Sequence, residues 1–116
     1  MKKEVLITFT PDFKNQYKRL AKKHVSLESD IKELVSELQI NPTLGISLGN
    51  NAYKIRLAIS SKNKGKSGGA RIITYFIIAD TNQNLNELYL LSIYDKSEQE
   101  NITNKALKKL IDDVIN

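Results

Sequence analysis

The stretch that decides the fold runs from Arg71 to Tyr94: RIITYFIIA at residues 71–79, a polar turn at 80–86, and ELYLLSIY at 87–94. Both apolar runs are rich in the β-branched and aromatic residues that favour strands. The turn between them predicts an antiparallel pair. Because both runs are apolar on either face, other elements must cover each side of the sheet that they form.

A third strand precedes this pair. Residues 52–59 alternate in polarity, which puts Lys54 and Arg56 on the face opposite Ile55 and Leu57. Three consecutive strands with short or polar links predict an antiparallel meander. Residues 44–51 are rich in Gly, Ser and Asn and are predicted to be loop.

Helices account for most of the remaining chain. A short strand at 5–9 ends at Thr10-Pro11-Asp12, a typical signal for the start of a helix. Apolar residues then recur at helical spacing, and after a new N-cap at Ser26 they do so again as far as Asn41-Pro42. We expect these two helices to form a hairpin on one face of the sheet. A C-terminal helix starting near Ser97 should cover part of the other face.

These elements predict an α+β fold with a mainly antiparallel four-stranded sheet and the order βααβββα. We expect a single domain over residues 1–116, since no linker is long enough to divide the chain. No apolar run approaches the ~18 residues of a membrane span. The N-terminus is unlike a signal peptide, so we expect no membrane partner and a cytoplasmic location.

The composition excludes several kinds of chemistry. The sequence has no cysteine and one histidine, His24, which rules out disulfides, thiol catalysis and a multi-histidine zinc site. We therefore expect no metal and no cofactor. His24 falls in the connection between the two helices, away from the cations, and is expected to be incidental.

The basic residues are segregated along the chain. The formal net charge is +5, and no acidic residue lies between Glu37 and Asp80. Segregation of this kind points to a polyanionic partner, most simply a nucleic acid. The alternative is a basic loop that only aids solubility. The basic residues of this acid-free segment are Lys54, Arg56, Lys62, Lys64, Lys66 and Arg71.

Several of these residues can converge at one end of the meander. The loop SKNKGKSGG at 61–69 alternates cations with small residues, which lets the backbone approach a phosphate, but it lacks the spacing of a Walker P-loop. Arg71 opens the next strand, and Tyr94 closes the last one immediately before Asp95-Lys96. With Lys54 and Arg56 on one face of the preceding strand, these positions can converge at one end of the sheet in a meander.

Cations and a tyrosine suffice for one reaction of RNA, the attack of a 2′-hydroxyl on its own adjacent phosphate. Arginine binds phosphate bidentately and stabilises the charge that develops on it. A lysine among other cations can act as a base, and a tyrosine hydroxyl can transfer a proton. A protein that binds RNA without cleaving it would carry the same residue types. The residue types alone therefore do not decide between RNA binding and RNA cleavage.

The same residues carry a resemblance to a known family. The segments KIR at 54–56, KGKSGGARIITYF at 64–76 and LLSIYDKSE at 90–98 resemble the RelE/ParE toxin superfamily, nearest to its RelE and HigB branch. The element order extends the resemblance over nearly the whole chain. It implies a RelE-like fold and a toxin of a type II toxin–antitoxin pair. Such a toxin enters the ribosomal A site, cleaves translated mRNA without a metal, and has a cognate antitoxin as partner.

The resemblance also implies roles for individual residues. Arg56 and Arg71 would hold and stabilise the scissile phosphate. Lys64 or Lys66 would accept a proton or give electrostatic aid, and Tyr94 would orient the nucleophile or stack on a base. The residues implied to contact the RNA backbone are Lys54, Lys62 and Lys96.

Two other functions compete with mRNA cleavage. The first is a gyrase poison of the ParE kind, which generally lacks the full basic and tyrosine set. The second is a non-catalytic RNA-binding module or a decayed toxin, which predicts salt-dependent RNA binding without cleavage.

Overall fold

Strands β4 and β5 form the centre of a five-stranded sheet. A computed structural model describes residues 4–62, 68–83 and 85–115. The elements in chain order are β1 (Glu4–Phe9), α1 (Pro11–Lys23), α2 (Leu27–Ile40), β2 (Ile46–Gly49), β3 (Ala52–Leu57), a 3₁₀ turn (Ser60–Lys62), β4 (Ala70–Asp80), β5 (Leu85–Asp95) and α3 (Asn104–Ile115).

The strands are arranged in the order β1-β5-β4-β3-β2. β1 runs parallel to β5, and all other neighbours are antiparallel. This confirms an α+β fold with a mainly antiparallel sheet, an N-terminal helix pair and a C-terminal helix. The first helix starts as predicted: Pro11 is its first residue, and the Thr10 side chain accepts a hydrogen bond from the Phe13 N–H at 3.3 Å.

The prediction of a loop over residues 44–51 is wrong in part, because β2 lies within it. Gly49 pairs with Ala52 across a two-residue turn. Asn50 and Asn51 both have positive φ, 52° and 64°, which is the geometry that a tight hairpin turn requires and that asparagine tolerates. The turn folds β2 back onto β3, so the sheet has five strands instead of four.

The C-terminal helix also begins later than predicted, at Asn104 instead of near Ser97. Asp95 holds the intervening residues in turns, since its backbone carbonyl accepts hydrogen bonds from Glu98 N (3.0 Å) and Gln99 N (3.1 Å). Thr103 directly precedes α3 and caps its first turn, because its hydroxyl accepts a hydrogen bond from the Ala106 N–H at 3.1 Å.

Two apolar clusters lie on opposite faces of the sheet. The larger one packs α1 and α2 against the sheet through residues such as Phe13, Leu34, Ile72 and Ile93. The smaller one, which includes Leu91, lies under α3. Across residues 4–62, 68–83 and 85–115, no helix combines the length and apolar character needed to cross a bilayer.

Candidate active site

Three of the predicted site residues lie side by side on adjacent strands. Arg56 of β3 is opposite Arg71 of β4, and Arg71 is opposite Tyr94 of β5. Directly opposite residues project from the same face of a sheet. We call these residues, Arg56, Arg71 and Tyr94, the cross-strand row. It lies on the α3 face, because Tyr94 packs in the cluster that contains Leu107.

The members of the row differ in accessibility. Arg56 is exposed, whereas Arg71 and Tyr94 are each only 4% exposed. An Arg71 guanidinium nitrogen donates a hydrogen bond to the Ala70 carbonyl at 3.1 Å. The row therefore combines one cation that solvent reaches with a buried cation and a buried phenol.

The Tyr94 hydroxyl is buried and has no hydrogen-bond partner among the described residues. Burial raises its pKa, and the nearby Arg71 guanidinium opposes that rise only in part. The hydroxyl thus keeps its proton at neutral pH. A protonated hydroxyl can donate a hydrogen bond or a proton to a phosphate oxygen.

A second polar group lies one residue beyond the row, around Asp95 at the end of β5. The Asp95 carboxylate accepts hydrogen bonds from the Lys62 ammonium at 3.0 and 3.2 Å and from the Ser97 hydroxyl at 2.8 Å. His24 Nε2 lies 3.3 Å from the same carboxylate. The expectation that His24 lies away from the cations is wrong, because the end of α1 packs against this end of the sheet and Lys62 binds the same carboxylate.

We call Lys62, His24 and Ser97, gathered on Asp95, the Asp95 cluster. Burial pushes the pKa of Asp95 upward, but hydrogen bonds from Ser97 and Lys62 outweigh it and hold that pKa well below its usual range. Asp95 is therefore ionised at neutral pH, and Lys62 is engaged in a nearly buried ion pair.

The other predicted cations are placed as follows. The Lys54 ammonium donates to the Asn101 side chain at 3.3 Å, near the start of α3. Lys96 is half-buried, and its backbone N–H donates to the Gly69 carbonyl at 3.1 Å. Lys64 and Lys66 lie outside the described residues.

Arg56 also borders a groove of about 370 Å³ between α2 and the β2–β3 edge. Lys54 lines the groove from the same strand, and Glu33 and Glu37 line it from α2.

Comparison with known proteins decides the family. Residues 12–112 match the family described as the RelE toxin of the RelE/RelB toxin–antitoxin system. The chain belongs to the RelE toxin family. The resemblance drawn from the segments at 54–56, 64–76 and 90–98 is thereby confirmed. The family makes this protein a toxin of a toxin–antitoxin system, and it implies an antitoxin as its partner.

The fold agrees with that membership. A solved structure of a doubly substituted mutant of the Escherichia coli toxin RelE in the free state is similar to this chain, with a TM-score of 0.57 and 15% sequence identity. The match covers 91% of this chain and 97% of that one. At this identity the likeness concerns the fold.

In this RelE-family chain, Arg56, Arg71 and Tyr94 lie together in the cross-strand row. Lys62 is outside the row, because its ammonium binds the Asp95 carboxylate. Sequence reasoning missed Asp95, which follows Tyr94 directly, and Asp30, a buried residue of α2. The signal for Asp95 was its place between a strand-ending tyrosine and Lys96-Ser97, since an aspartate at the start of a turn often accepts a hydrogen bond from the backbone N–H two residues on. No local signal could have paired it with Lys62, which is 33 residues away.

Proposed function

We propose that this RelE-family toxin is a metal-independent endoribonuclease that cleaves mRNA on the ribosome, in the cytoplasm. The observation that carries the proposal is the cross-strand row, in which two arginines and a protonated tyrosine share one face of three adjacent strands. Two guanidinium groups and a phenolic donor match the charge and the oxygen atoms of a phosphodiester.

The proposed reaction needs no external nucleophile. The 2′-oxygen attacks the adjacent phosphorus, a new P–O2′ bond forms, and the P–O5′ bond breaks. A base takes the proton of the 2′-hydroxyl, and an acid protonates the leaving 5′-oxygen. The products are a 2′,3′-cyclic phosphate and a 5′-hydroxyl.

Each residue of the row has a proposed part. Arg56, being exposed, makes the first contact with the phosphate. Arg71, together with Arg56, stabilises the negative charge that builds up on the phosphoryl oxygens. Tyr94 donates its proton to the leaving oxygen or orients the phosphate, because burial keeps its hydroxyl protonated. Lys64 or Lys66 is the proposed proton acceptor.

The burial of Arg71 and Tyr94 sets a condition on catalysis. Both are 4% exposed in the free protein, so a phosphate reaches them only after the atoms that cover them have moved. RNA bound first at Arg56 is already adjacent to Arg71 on the neighbouring strand. Lys54 and Lys96 are proposed to contact the RNA backbone on either side.

The test is cleavage of mRNA in a purified translation system. The wild-type protein should cut mRNA on ribosomes and leave 2′,3′-cyclic ends, whereas Arg71→Ala should not. Arg71→Lys, which keeps the charge but loses the bidentate fork, should cut slowly. Circular dichroism and thermal unfolding of each variant establish that it is folded.

Two outcomes would overturn the proposal. Intact mRNA in the presence of folded protein that still binds RNA, with a salt dependence set by phosphate contacts, would indicate a non-catalytic RNA-binding module. Loss of DNA supercoiling by gyrase, again with intact mRNA, would indicate a ParE-like toxin.

The antitoxin is proposed to cover the same surface. An acidic or apolar segment that lies over Arg56 and the partly buried Lys54 of β3, or along the sheet edge beside them, would neutralise the toxin. Co-expression with the protein from the neighbouring reading frame should restore growth. Unchanged toxicity would count against this partner.

A further inference from the structure

Two buried carboxylates hold the 3₁₀ turn that follows β3. Asp30 of α2 is 6% exposed and accepts hydrogen bonds from the Ser60 N–H at 3.0 Å and the Ser60 hydroxyl at 2.7 Å. The Ser26 hydroxyl also donates to it at 2.8 Å. Asp30 thus fixes the first residue of the turn to α2.

Asp95 fixes the last residue of the same turn. Asp95 is 4% exposed. Its carboxylate accepts two hydrogen bonds from the Lys62 ammonium, one from the Ser97 N–H at 2.9 Å and one from the Ser97 hydroxyl at 2.8 Å. His24 adds a further neighbour from the end of α1. Because its oxygens are occupied by these donors, Asp95 is not placed to take a proton from RNA.

The contacts that Asp95 makes with Lys62 lie next to the cross-strand row in the sheet. Asp95 pairs with Ala70 in the β4–β5 ladder, immediately beside the pair of Arg71 and Tyr94. The next residue, Lys96, donates its N–H to the Gly69 carbonyl. Residues 95 and 96 therefore bind both Lys62, which ends the 3₁₀ turn, and Gly69, which leads into β4.

We propose that Asp95 is a positioning residue for the cleavage reaction: by holding Lys62 and the adjoining backbone against the end of β5, it sets the relative placement of Arg71 and Tyr94. Lys62 serves this anchor and does not contact RNA. This inference rests on the proposed function, because it assigns Asp95 a part in that reaction.

The test uses Asp95→Asn, Lys62→Gln and the double variant, with Glu98→Gln as a matched control. Glu98 lies in the same turn and also binds α1, but its ion pair with Arg19 (2.9 Å) is on the surface, with the Glu98 side chain 39% exposed. Single-turnover cleavage is measured below the unfolding transition of every variant and normalised to the folded fraction.

Asp95→Asn should slow the cleavage step at least tenfold and leave the half-saturating concentration within twofold of wild type. Lys62→Gln should do the same, and the double variant should be no slower than the slower single variant, since both changes break one contact. Glu98→Gln should stay within twofold on both measures. A normal rate for folded Asp95→Asn would overturn the proposal.

Salt dependence separates an anchoring lysine from an RNA-binding one. A lysine that neutralises a phosphate of single-stranded RNA contributes about 0.7 to the log–log slope of affinity against salt. Lys62→Gln should leave that slope unchanged, whereas Lys54→Gln should reduce it. A reduction of the slope by Lys62→Gln would overturn the assignment.

A measurement on the free protein keeps this inference distinct from the proposed function. Amide hydrogen exchange at Lys96, whose N–H is bonded to Gly69, should be at least tenfold faster in Asp95→Asn and unchanged in Glu98→Gln. If the wild-type protein cleaves no RNA, the proposed function fails while this exchange result still decides whether Asp95 holds the segment in place. Unchanged exchange in Asp95→Asn would overturn the anchor itself.

Discussion

Arg71 lies directly opposite Tyr94 across the β4–β5 ladder, and both side chains are almost completely buried. The guanidinium acts on the phenol electrostatically, yet burial still raises the pKa of the Tyr94 hydroxyl. Burying a hydroxyl without a partner is costly, and this one has none among the described residues. Groups kept in such a state are candidates for function because packing alone does not account for them.

Tyr94→Phe should separate stability from activity. Removing a buried hydroxyl that no described residue satisfies should leave the free energy of unfolding unchanged or raise it by up to about 1 kcal/mol. Cleavage should fall at least tenfold, because the proposed proton donor is lost. Urea denaturation and single-turnover cleavage measure the two effects.

Tyr89→Phe is the matched control for that change. The Tyr89 hydroxyl donates to the Glu87 carboxylate at 3.0 Å, so its removal should lower stability slightly and leave cleavage unchanged. A Tyr94→Phe protein destabilised by more than about 1 kcal/mol would show that the hydroxyl has a hydrogen-bond partner of ordinary strength.

Arg56→Ala should reduce cleavage about a hundredfold, the usual cost of losing one group that stabilises transition-state charge. Because Arg56 is exposed, the change should alter the free energy of unfolding by no more than about 0.5 kcal/mol. Arg19→Ala, on the exposed surface of α1, is the control and should cleave normally. Equal losses of cleavage activity in Arg56→Ala and Arg19→Ala would mean that cleavage depends only on the total charge of the protein.

The order of the elements other than β2 could be predicted because each rests on local patterns. The alternation of polar and apolar residues around Lys54 and Arg56 predicts a strand. Thr10 before Pro11 predicts the start of a helix. The prediction that Arg56, Arg71 and Tyr94 converge also follows from alternation, given an antiparallel meander. No finding tests the roles assigned to these residues, so those roles stay predictions.

What could not be predicted depends on contacts between distant residues. β2 exists because Asn50 and Asn51 adopt positive φ and return the chain to β3, while its composition is typical of loop. The pairing of Lys62 with Asp95 requires the 3₁₀ turn and β5 to be neighbours. His24 contacts Asp95 because α1 ends beside the same end of β5.

Acid should weaken the protein through Asp95. Its pKa is lower in the folded protein than in the unfolded chain, where the ordinary value is 3.8. The stability that it contributes is therefore complete above that value and is lost as the pH falls toward the folded pKa. The groups that face it are Lys62 and Ser97, with His24, which directly follows α1, and Glu98 from the turn after β5.

The measurement is urea denaturation of wild type and Asp95→Asn between pH 2 and 6. Wild type should be more stable by about 2–3 kcal/mol at pH 6, the scale of hydrogen bonds to a charged, buried group. The difference should shrink below pH 3.8. A difference that stays constant over the whole range would mean that the Asp95 charge is not what stabilises the fold.

Gly69→Ala should disrupt the end of the sheet beside the row. A Cβ at Gly69 would collide with the Leu57 carbonyl, which is backbone and cannot rotate away. We expect a loss of about 2–3 kcal/mol in the free energy of unfolding, as for other overpacked sites. Cleavage by the remaining folded protein should also fall, because the Gly69 carbonyl accepts the hydrogen bond of the Lys96 N–H beside the cross-strand row.

Gly49→Ala is the control for that substitution. Gly49 has φ +84° but open space around its Cβ position, so alanine there should cost only about 1–2 kcal/mol of backbone strain. It lies at the β2–β3 turn, outside the row, and should leave the cleavage rate of folded protein unchanged. If both alanines reduced cleavage equally after normalisation to folded protein, the close approach of Gly69 to β3 would have no particular bearing on the active site.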